Sequence, residues 1–237
     1  MHFSNILAIA RTRSKARDLS ELIAQAASKN LTVNTHSYGQ LIDPYESYGY
    51  YPATIIEIDI PSASTQVLDI IKKIKSNNPS NTIFLVATFA ATLSKTKYYF
   101  AGADYCIKVA DRSYKKKLSL FSALLIEIHW LSKTDLILDQ DRMYIHGGGK
   151  KLEVSYVEMK VLESLTHNRL LRYDEVAEIM GLSIQFYDSR ALEKSISRLR
   201  GKIKSHYGIN IIQSVRGYGY KLIRGFYLVK HTQPIKE

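Results

Sequence analysis

Short apolar segments alternate with amphipathic segments along the first half of this 237-residue chain, and no other feature restricts its fold as much. Ile6 to Ala10, Ala53 to Ile60 and Thr82 to Thr88 are apolar runs of strand length. Ser14 to Asn30 and Ser64 to Lys75 carry apolar residues at helical spacing. Further strands are predicted at 31–37 and 105–109, and further helices at 94–101 and 111–132. Strands that are apolar throughout are buried on both faces, so the pattern predicts a doubly wound α/β domain with a parallel sheet.

The pattern changes near residues 131–133, beyond which short strands and three helices are predicted. The strands are expected at 135–138, 143–146 and 152–154. Ser155 with Glu158 has the spacing of a capping box, which predicts the start of the first helix. Two further helices are predicted at 173–180 and 189–204, and a hairpin at 211–223. Three helices followed by a hairpin are typical of a winged helix-turn-helix domain. We therefore predict domains at 1–130 and 135–225, a linker at 131–134 and a C-terminal tail at 226–237.

Positive charge is concentrated in one segment of the second half. The whole chain has 33 Lys and Arg against 22 Asp and Glu. Residues 189–230 hold ten basic residues and one acidic residue, whereas residues 131–188 hold seven and ten. A concentrated positive field suits a polyanion such as nucleic acid, although a solvated basic surface has the same composition.

Other classes of function find little support in the sequence. The seven histidines lack metal-ligand spacing, and the one cysteine, Cys106, excludes an internal disulfide. The run Gly147 to Gly149 lacks the rest of a phosphate-binding loop. We predict no catalytic residue, no metal site, no cofactor and no membrane span, and we expect a cytoplasmic protein. The tyrosine-rich segment 45–51 is interpreted as loop packing.

Two motifs in the basic segment are specific. Residues 196–203 read ISRLRGKI, and residues 213–221 read QSVRGYGYK. They resemble the helix end and the hairpin of the DNA-binding domains of OmpR/PhoB-type response regulators. The resemblance extends from Leu152 to Ile223 and implies binding of double-stranded DNA, with tandem half-sites about one helical turn apart.

The residues off the apolar stripe of the third helix suit a DNA groove. Arg190, Lys194, Ser197 and Arg198 are predicted to face the major groove, where arginine pairs with guanine. Arg200 lies near the helix end and is predicted to contact a phosphate. Arg216, at the base of the hairpin, is predicted to reach a minor groove. The resemblance implies phosphate contacts by Ser214 and Tyr220, although hairpin packing is the alternative for Tyr218 or Tyr220.

The first half resembles a receiver domain. Receivers have an acidic pair for Mg²⁺ after the first strand, a phosphoacceptor Asp on the third, a Ser or Thr after the fourth and a Lys after the fifth. The corresponding positions here hold Ala10 with Arg11, Glu57, Thr88 and Lys108, and Asp59 lies two residues beyond Glu57. Because the metal ligands are missing, we predict a degenerate receiver that works without aspartyl phosphorylation.

Several alternatives stay open at this point. Glu57 either pairs with Lys108 in an activated-like arrangement or is a buried carboxylate satisfied by other neighbours. Asp59 is the acceptor if the alignment is shifted, and the regulator is then phosphorylation-controlled. A low-specificity nucleoid-type DNA-binding protein is a further reading of the basic segment.

The resemblance also implies partners. Receivers of this type form homodimers through a face that corresponds to residues 94–130. The apolar contacts of that face are predicted from Leu118, Phe121, Leu124 and Leu125. The loop from Gly181 to Asp188 corresponds to a segment that such factors offer to RNA polymerase.

Overall fold

A computed structural model describes residues 5–27, 31–42, 51–78, 81–88, 94–109, 113–131, 136–168, 170–182, 188–223 and 226–229. The chain divides into two compact units, Met1–Ser132 and Lys133–Glu237. The predicted linker beyond Leu131, the loop 183–187 and the tail beyond Val229 lie outside the described residues, as does the tyrosine-rich segment apart from Tyr51.

The first unit alternates strands and helices as the sequence predicts. Its strands are β1 (Asn5–Ala10), β2 (Thr32–Ser37), β3 (Ala53–Ile58), β4 (Thr82–Ala87) and β5 (Tyr105–Lys108). Its helices are α1 (Arg13–Ala26), α2 (Ser64–Asn77), α3 (Lys95–Ala101) and α4 (Tyr114–Leu131). All strand pairs are parallel, in the order β2-β1-β3-β4-β5.

The helices of the first unit pack in two pairs, α1 with α4 and α2 with α3. Crossovers between parallel strands are right-handed. The connection through α1 leads from β1 to β2, and the connection through α2 leads from β3 to β4, in the opposite direction along the sheet. The two helices therefore cover opposite faces of the sheet. The central strands β1, β3 and β4 are almost entirely buried for this reason. The predicted doubly wound parallel sheet is confirmed. Its strand order reverses between β1 and β3, and ligands of such folds bind at the carboxyl ends of the strands beside this point.

The second unit has three helices between two small sheets. Its strands are β6 (Ile137–Asp139), β7 (Tyr144–Gly147), β8 (Lys150–Glu153), β9 (Leu170–Arg172), β10 (Ile212–Val215), β11 (Gly219–Leu222) and β12 (Tyr227–Val229). Its helices are α5 (Tyr156–Asn168), α6 (Tyr173–Ile179) and α7 (Ser189–Tyr207). The sheets have the orders β12-β6-β7-β8 and β10-β11-β9.

Local signals in the sequence account for several boundaries of the second unit. The amide of Ser155 donates to Oε2 of Glu158 at 2.8 Å, and the amide of Glu158 donates to Oγ of Ser155 at 3.2 Å, so the predicted capping box is confirmed. Asp188 caps α7 by accepting from the amide of Arg190 at 2.9 Å. The winged-helix prediction is confirmed by the three helices and the β10–β11 hairpin.

Two strands of the second unit were not predicted. β9 pairs with β11 and turns the predicted hairpin into a three-stranded sheet. β12 pairs with β6 in parallel, and it lies in the segment that the sequence analysis places in the tail. Each strand has three residues, too few for a periodicity to be visible along the chain. Their hydrogen-bond partners are distant in sequence, so only the fold brings them together.

Candidate functional site

Helix α7 has one buried apolar face and one exposed polar face. Leu192, Ile196, Leu199 and Ile203 are buried in the core of the second unit. The exposed face carries the four residues predicted to enter a major groove, Arg190, Lys194, Ser197 and Arg198. Their spacing places them together on one side of the helix. The four side chains are therefore available to a ligand.

The hairpin after α7 presents a further exposed arginine. Arg216 lies in the turn between β10 and β11, and Gly217 beside it has a φ of 72°. An L-residue with a side chain rarely adopts that conformation, so glycine favours this tight turn. Ser214 is exposed on β10.

The structure corrects the predicted phosphate contact of Tyr220, whereas that of Arg200 stays a prediction. Nη2 of Arg200 donates to Oγ of Ser214 at 3.2 Å, and the arginine is half-buried, so this side chain ties α7 to the hairpin. Tyr220 is only 2% exposed, and its ring packs edge-to-face on Tyr173 with centroids 5.3 Å apart. The ring of Tyr220 is part of the core, and a DNA phosphate cannot reach it in this conformation.

An ion cluster occupies the carboxyl edge of the sheet in the first unit. Ala10 ends β1, and Arg11 follows it. Nε and Nη2 of Arg11 donate to the Asp59 carboxylate at 3.2 Å each, and Nζ of Lys15 also donates to this carboxylate. Burial raises the pKa of Asp59, but the hydrogen bonds and charges of Lys15 and Arg11 outweigh it, so the pKa lies below its ordinary value. Asp59 is therefore a carboxylate with two cations already bound.

Glu57 lies deeper in the same site, near the end of β3. Burial is the largest influence on its carboxyl group and raises the pKa of Glu57. The positive charges of Lys117 and Lys15 and a hydrogen bond with the Thr88 side chain act in the opposite direction. Tyr38 donates from its hydroxyl to the main-chain oxygen of Glu57. Burial of that hydroxyl raises the pKa of Tyr38.

Lys117, rather than Lys108, is the lysine that meets Glu57. Lys117 lines the cavity in which Glu57, Asp59 and Thr88 lie, and Lys108 at the end of β5 does not. The proposed pairing of Glu57 with Lys108 is therefore replaced by an approach from α4. The sequence analysis missed both Lys15 and Lys117. Each is in the first turns of a helix that follows a strand, a position that faces the carboxyl edge of a parallel sheet.

The residues at this site do not fit the Mg²⁺ ion of receiver domains. Mg²⁺ requires oxygen ligands, and the positions of the acidic pair hold a methyl side chain and a guanidinium group. Within the residues that the structure describes, no three His, Cys, Asp or Glu side chains converge as a metal site. The carboxylate of Asp59 is neutralised by Arg11 and Lys15 instead.

The predicted dimer face needs correction. Phe121 is 2% exposed and Leu124 6% exposed within the first unit, where α4 packs on α1, so both side chains belong to the core. Leu118 and Leu125 are partly exposed, and Ile126 on the same helix is 62% exposed. Across the part of the chain that the structure describes, no helix has the length and apolar character to cross a membrane.

Known proteins with similar sequences align with parts of both units. The family described as "Transcriptional regulatory protein, C terminal" matches residues 149–222, which include both DNA-binding motifs. The transcriptional regulatory protein CusR of Escherichia coli K12 is 24% identical over 190 residues, 73% of this chain and 79% of CusR. The two-component response regulator PhoP of Pseudomonas aeruginosa is 24% identical over 179 residues, 72% of this chain and 78% of PhoP. The structure of DrrB, an OmpR/PhoB homologue of Thermotoga maritima, aligns with 93% of this chain and 99% of its own, with a TM-score of 0.41 and 16% identity.

The chain is thus similar over most of its length to transcriptional regulators and two-component response regulators. The residues that match the family of transcriptional regulatory proteins lie in the second unit, and the first unit has the five-stranded parallel sheet expected of a receiver-like domain. The ion cluster of Arg11, Lys15 and Asp59 differs from the metal site expected of a receiver domain.

The two carboxyl groups of the receiver-like unit should affect its stability in opposite directions. The pKa of Glu57 is raised above 4.5, so its ionisation costs stability as pH rises past that value. We expect Glu57→Gln to stabilise the unit near neutral pH and to have no such effect at acidic pH.

The pKa of Asp59 is lowered from 3.8, so the contribution of its carboxylate to stability is present above that pH and is lost in acid. We expect Asp59→Asn to destabilise the unit at neutral pH only.

Urea unfolding at a series of pH values measures both effects. Trp130 is the one tryptophan of the chain and belongs to the first unit, so a change in its fluorescence on unfolding is assigned to that unit. A Glu57→Gln variant that is less stable than wild type at neutral pH would contradict the assignment of a buried, costly carboxylate.

Proposed function

We propose that this chain is a response regulator of the OmpR/PhoB type, that it binds specific DNA sequences through α7 and the hairpin, and that it does so without phosphorylation of its receiver-like unit. The observation that carries the proposal is the neutralisation of Asp59 by Arg11 and Lys15, at the edge where a metal-dependent acceptor would need free carboxylates. The exposed basic face of α7 supports the DNA-binding half.

The proposed DNA contacts follow from exposure and chemistry. An α-helix fits the major groove of B-DNA, and an arginine there can pair with O6 and N7 of guanine. Arg198 is exposed in the middle of the polar face and is proposed to read a base. Arg190 and Lys194 extend the same face toward the helix start. Arg216 in the hairpin turn is proposed to enter the minor groove, where a narrow groove attracts positive charge.

Selection of sheared genomic DNA by the purified full-length protein tests sequence specificity. At ~0.15 M salt, nonspecific electrostatic binding is already weakened. We expect enrichment of a few fragments that share a direct repeat with a spacing of about 10–11 base pairs. Uniform recovery of fragments would instead favour the nucleoid-type alternative.

Arg198→Ala should weaken binding to an enriched fragment by roughly 10- to 100-fold, as expected for loss of one bidentate base contact. It should also reduce the preference for one base pair in each half-site. The matched control is Arg142→Ala, which removes an exposed arginine from the turn between β6 and β7. Fluorescence anisotropy with labelled duplexes measures both variants. Equal losses in the two variants would show that net charge, rather than the position of Arg198, determines the affinity.

Phosphorylation independence has a chemical basis. Phosphoryl transfer builds negative charge on the transferred group, and in receivers a metal ion offsets this charge beside the acceptor. In this unit the cations are side chains of the protein, and two of them are already bound to Asp59. Hydrogen bonds from Lys15 and Arg11 occupy the oxygen atoms with which Asp59 would attack. Asp59 is therefore a poor nucleophile, and Glu57 has no acidic pair beside it.

Incubation with acetyl phosphate and Mg²⁺, followed by intact-protein mass spectrometry, tests this half of the proposal. We expect no stoichiometric phosphoryl adduct, and we expect the same DNA affinity before and after the incubation. A stoichiometric adduct on Asp59 would establish the shifted-acceptor alternative. An adduct on Glu57 would also overturn the proposal.

The receiver-like unit is further proposed to form a homodimer through the surface of α4. Leu118, Leu125 and Ile126 are the apolar residues of this helix that remain partly or largely exposed. Two protomers held together would match two tandem half-sites. Sedimentation equilibrium of the full chain tests this directly, and a monomer at micromolar concentration would refute it.

A further inference from the structure

A cavity of about 440 Å³ opens beside the ion cluster of the first unit. Its walls come from the carboxyl ends of the strands and from α1 and α4. The volume lies within the range of pockets that hold small molecules. The position is also the one where doubly wound sheets bind ligands, beside the reversal of strand order between β1 and β3. The cavity therefore has both the size and the place of a ligand site.

Part of the cavity lining is apolar. Leu19 and Leu22 from α1, Phe121 from α4, and Val86 and Val109 contribute to it. Leu19, Leu22 and Phe121 are buried side chains of the core, so this part of the lining belongs to packed elements. An apolar group that enters the cavity removes its own hydrocarbon surface from water.

The rest of the lining is charged, and the basic residues in and around it favour an anion. Arg11, Lys15 and Lys117 line the cavity together with Asp18, Glu57 and Asp59, and burial of Glu57 favours its uncharged carboxyl group. The side chains of Arg11 and Lys15 are 41% and 40% exposed. Four further exposed basic residues follow along α1 and α4, namely Arg13, Arg17, Lys115 and Lys116.

A singly charged head group fits this part of the lining better than a doubly charged one. The carboxylates of Asp18 and Asp59 also line the cavity and would repel a second negative charge on the ligand. A carboxylate has one charge and accepts hydrogen bonds from arginine and lysine. A phosphate monoester has a greater charge at neutral pH.

We propose that this cavity binds a small amphipathic carboxylate. Its charged head binds among Arg11, Lys15 and Lys117, and its hydrocarbon body lies between α1 and α4. The proposal goes beyond DNA binding and phosphorylation independence, and direct measurement of ligand binding tests it separately from both.

The experiment is isothermal titration calorimetry of the full-length protein with octanoate, octylammonium and inorganic phosphate as probes. Octanoate should bind, while octylammonium and inorganic phosphate should each bind about tenfold more weakly or not at all. Hydrogen exchange in the presence of octanoate should show added protection in peptides from α1 and α4. Added protection only in peptides of the DNA-binding unit would overturn the assignment.

Two lysines on the same helix provide a matched pair of variants. Lys117→Met keeps most of the side-chain volume and removes the charge that lines the cavity, so octanoate affinity should fall about tenfold. Lys115 is exposed two residues earlier and does not line the cavity, so Lys115→Met should leave the affinity within about twofold. Equal losses in both variants would show a general charge effect and would overturn the proposal.

A third variant tests the apolar part of the lining without changing any charge. Val109→Phe adds volume to the cavity and should weaken octanoate binding by about tenfold or more. Trp130 fluorescence confirms that each variant remains folded. Undiminished binding to a folded Val109→Phe variant, or no binding of octanoate to the wild-type protein, would overturn the proposal.

Discussion

Gly219→Ala is expected to destabilise the DNA-binding unit by roughly 3–5 kcal/mol, a larger effect than any surface substitution should have. A Cβ atom at Gly219 would lie 1.9 Å from the main-chain oxygen of Leu171 and 2.8 Å from Cα of Arg172. Both atoms belong to the backbone of β9, which pairs with β11 at this position. A backbone cannot move aside as the end of a flexible side chain can, so the two strands must separate. The hairpin would then lose its support, and specific DNA binding should fall with it.

Gly201→Ala is the matched control for this prediction. Gly201 lies inside α7, and a Cβ atom there would meet no other atom within 4 Å. Alanine is a better helix former than glycine, so this variant should be more stable by about 0.5–1 kcal/mol. Thermal unfolding followed by circular dichroism compares the two variants, and Trp130 fluorescence separately follows the first unit. A Gly219→Ala protein as stable as Gly201→Ala would contradict the close approach of β9 and β11.

Lys75→Met is expected to destabilise the first unit by about 3–5 kcal/mol, because it leaves a buried carboxylate without its counter-charge. Nζ of Lys75 lies 2.7 Å from Oδ2 of Asp104, and the two side chains are 6% and 2% exposed. Lys75 also donates to the main-chain oxygen of Asn81, and the Asp104 carboxylate accepts from the amide of Ile83 at 2.8 Å. The pair thus connects α2, the start of β4 and the turn before β5. Gly102, with a φ of 113°, leaves room for the stem of Lys75.

Lys72→Met is the control for the buried pair. Lys72 is exposed on the same helix, three residues before Lys75, so its replacement should change stability by less than about 0.5 kcal/mol. Urea unfolding monitored by Trp130 fluorescence measures both variants at neutral pH. If Lys75→Met and Lys72→Met unfold at the same urea concentration, the buried pair does not contribute as its geometry suggests.

The ion cluster and the cavity beside it change how the first unit should be studied. Arg11 and Lys15 are bound to Asp59 at the edge of the sheet that the resemblance assigns to the metal ion and phosphoryl group of receivers. Under the proposed phosphorylation independence, a screen of small carboxylates, with DNA binding as a second measurement, is more informative than a search for a partner kinase. The phosphorylation assay tests the proposed phosphorylation independence, and the carboxylate screen tests the proposed ligand site. Each proposal can therefore fail without the other.

Local sequence patterns determined most of the architecture. The order of strands and helices in the first unit follows from apolar runs and helical spacing, because each pattern reflects which faces of one element are buried. Capping by Ser155 and Glu158 depends on residues three apart, so it is visible in the sequence. The predicted alignment of Ala10 and Arg11 with the metal-binding positions of receivers depends on the end of a single strand, and β1 does end at Ala10.

Tertiary structure decided which side chains are covered and which charges meet. Helical spacing places Phe121 and Leu124 on an apolar face, but only the packing of α4 on α1 makes this face part of the core. Tyr220 is buried by Tyr173, a neighbour 47 positions away in the chain. Lys15 and Lys117 act on the carboxyl groups of Asp59 and Glu57 from two different helices. Spacing along the chain fixes the direction of a side chain within its own element, whereas its burial and its ionic partners depend on elements that are distant in sequence.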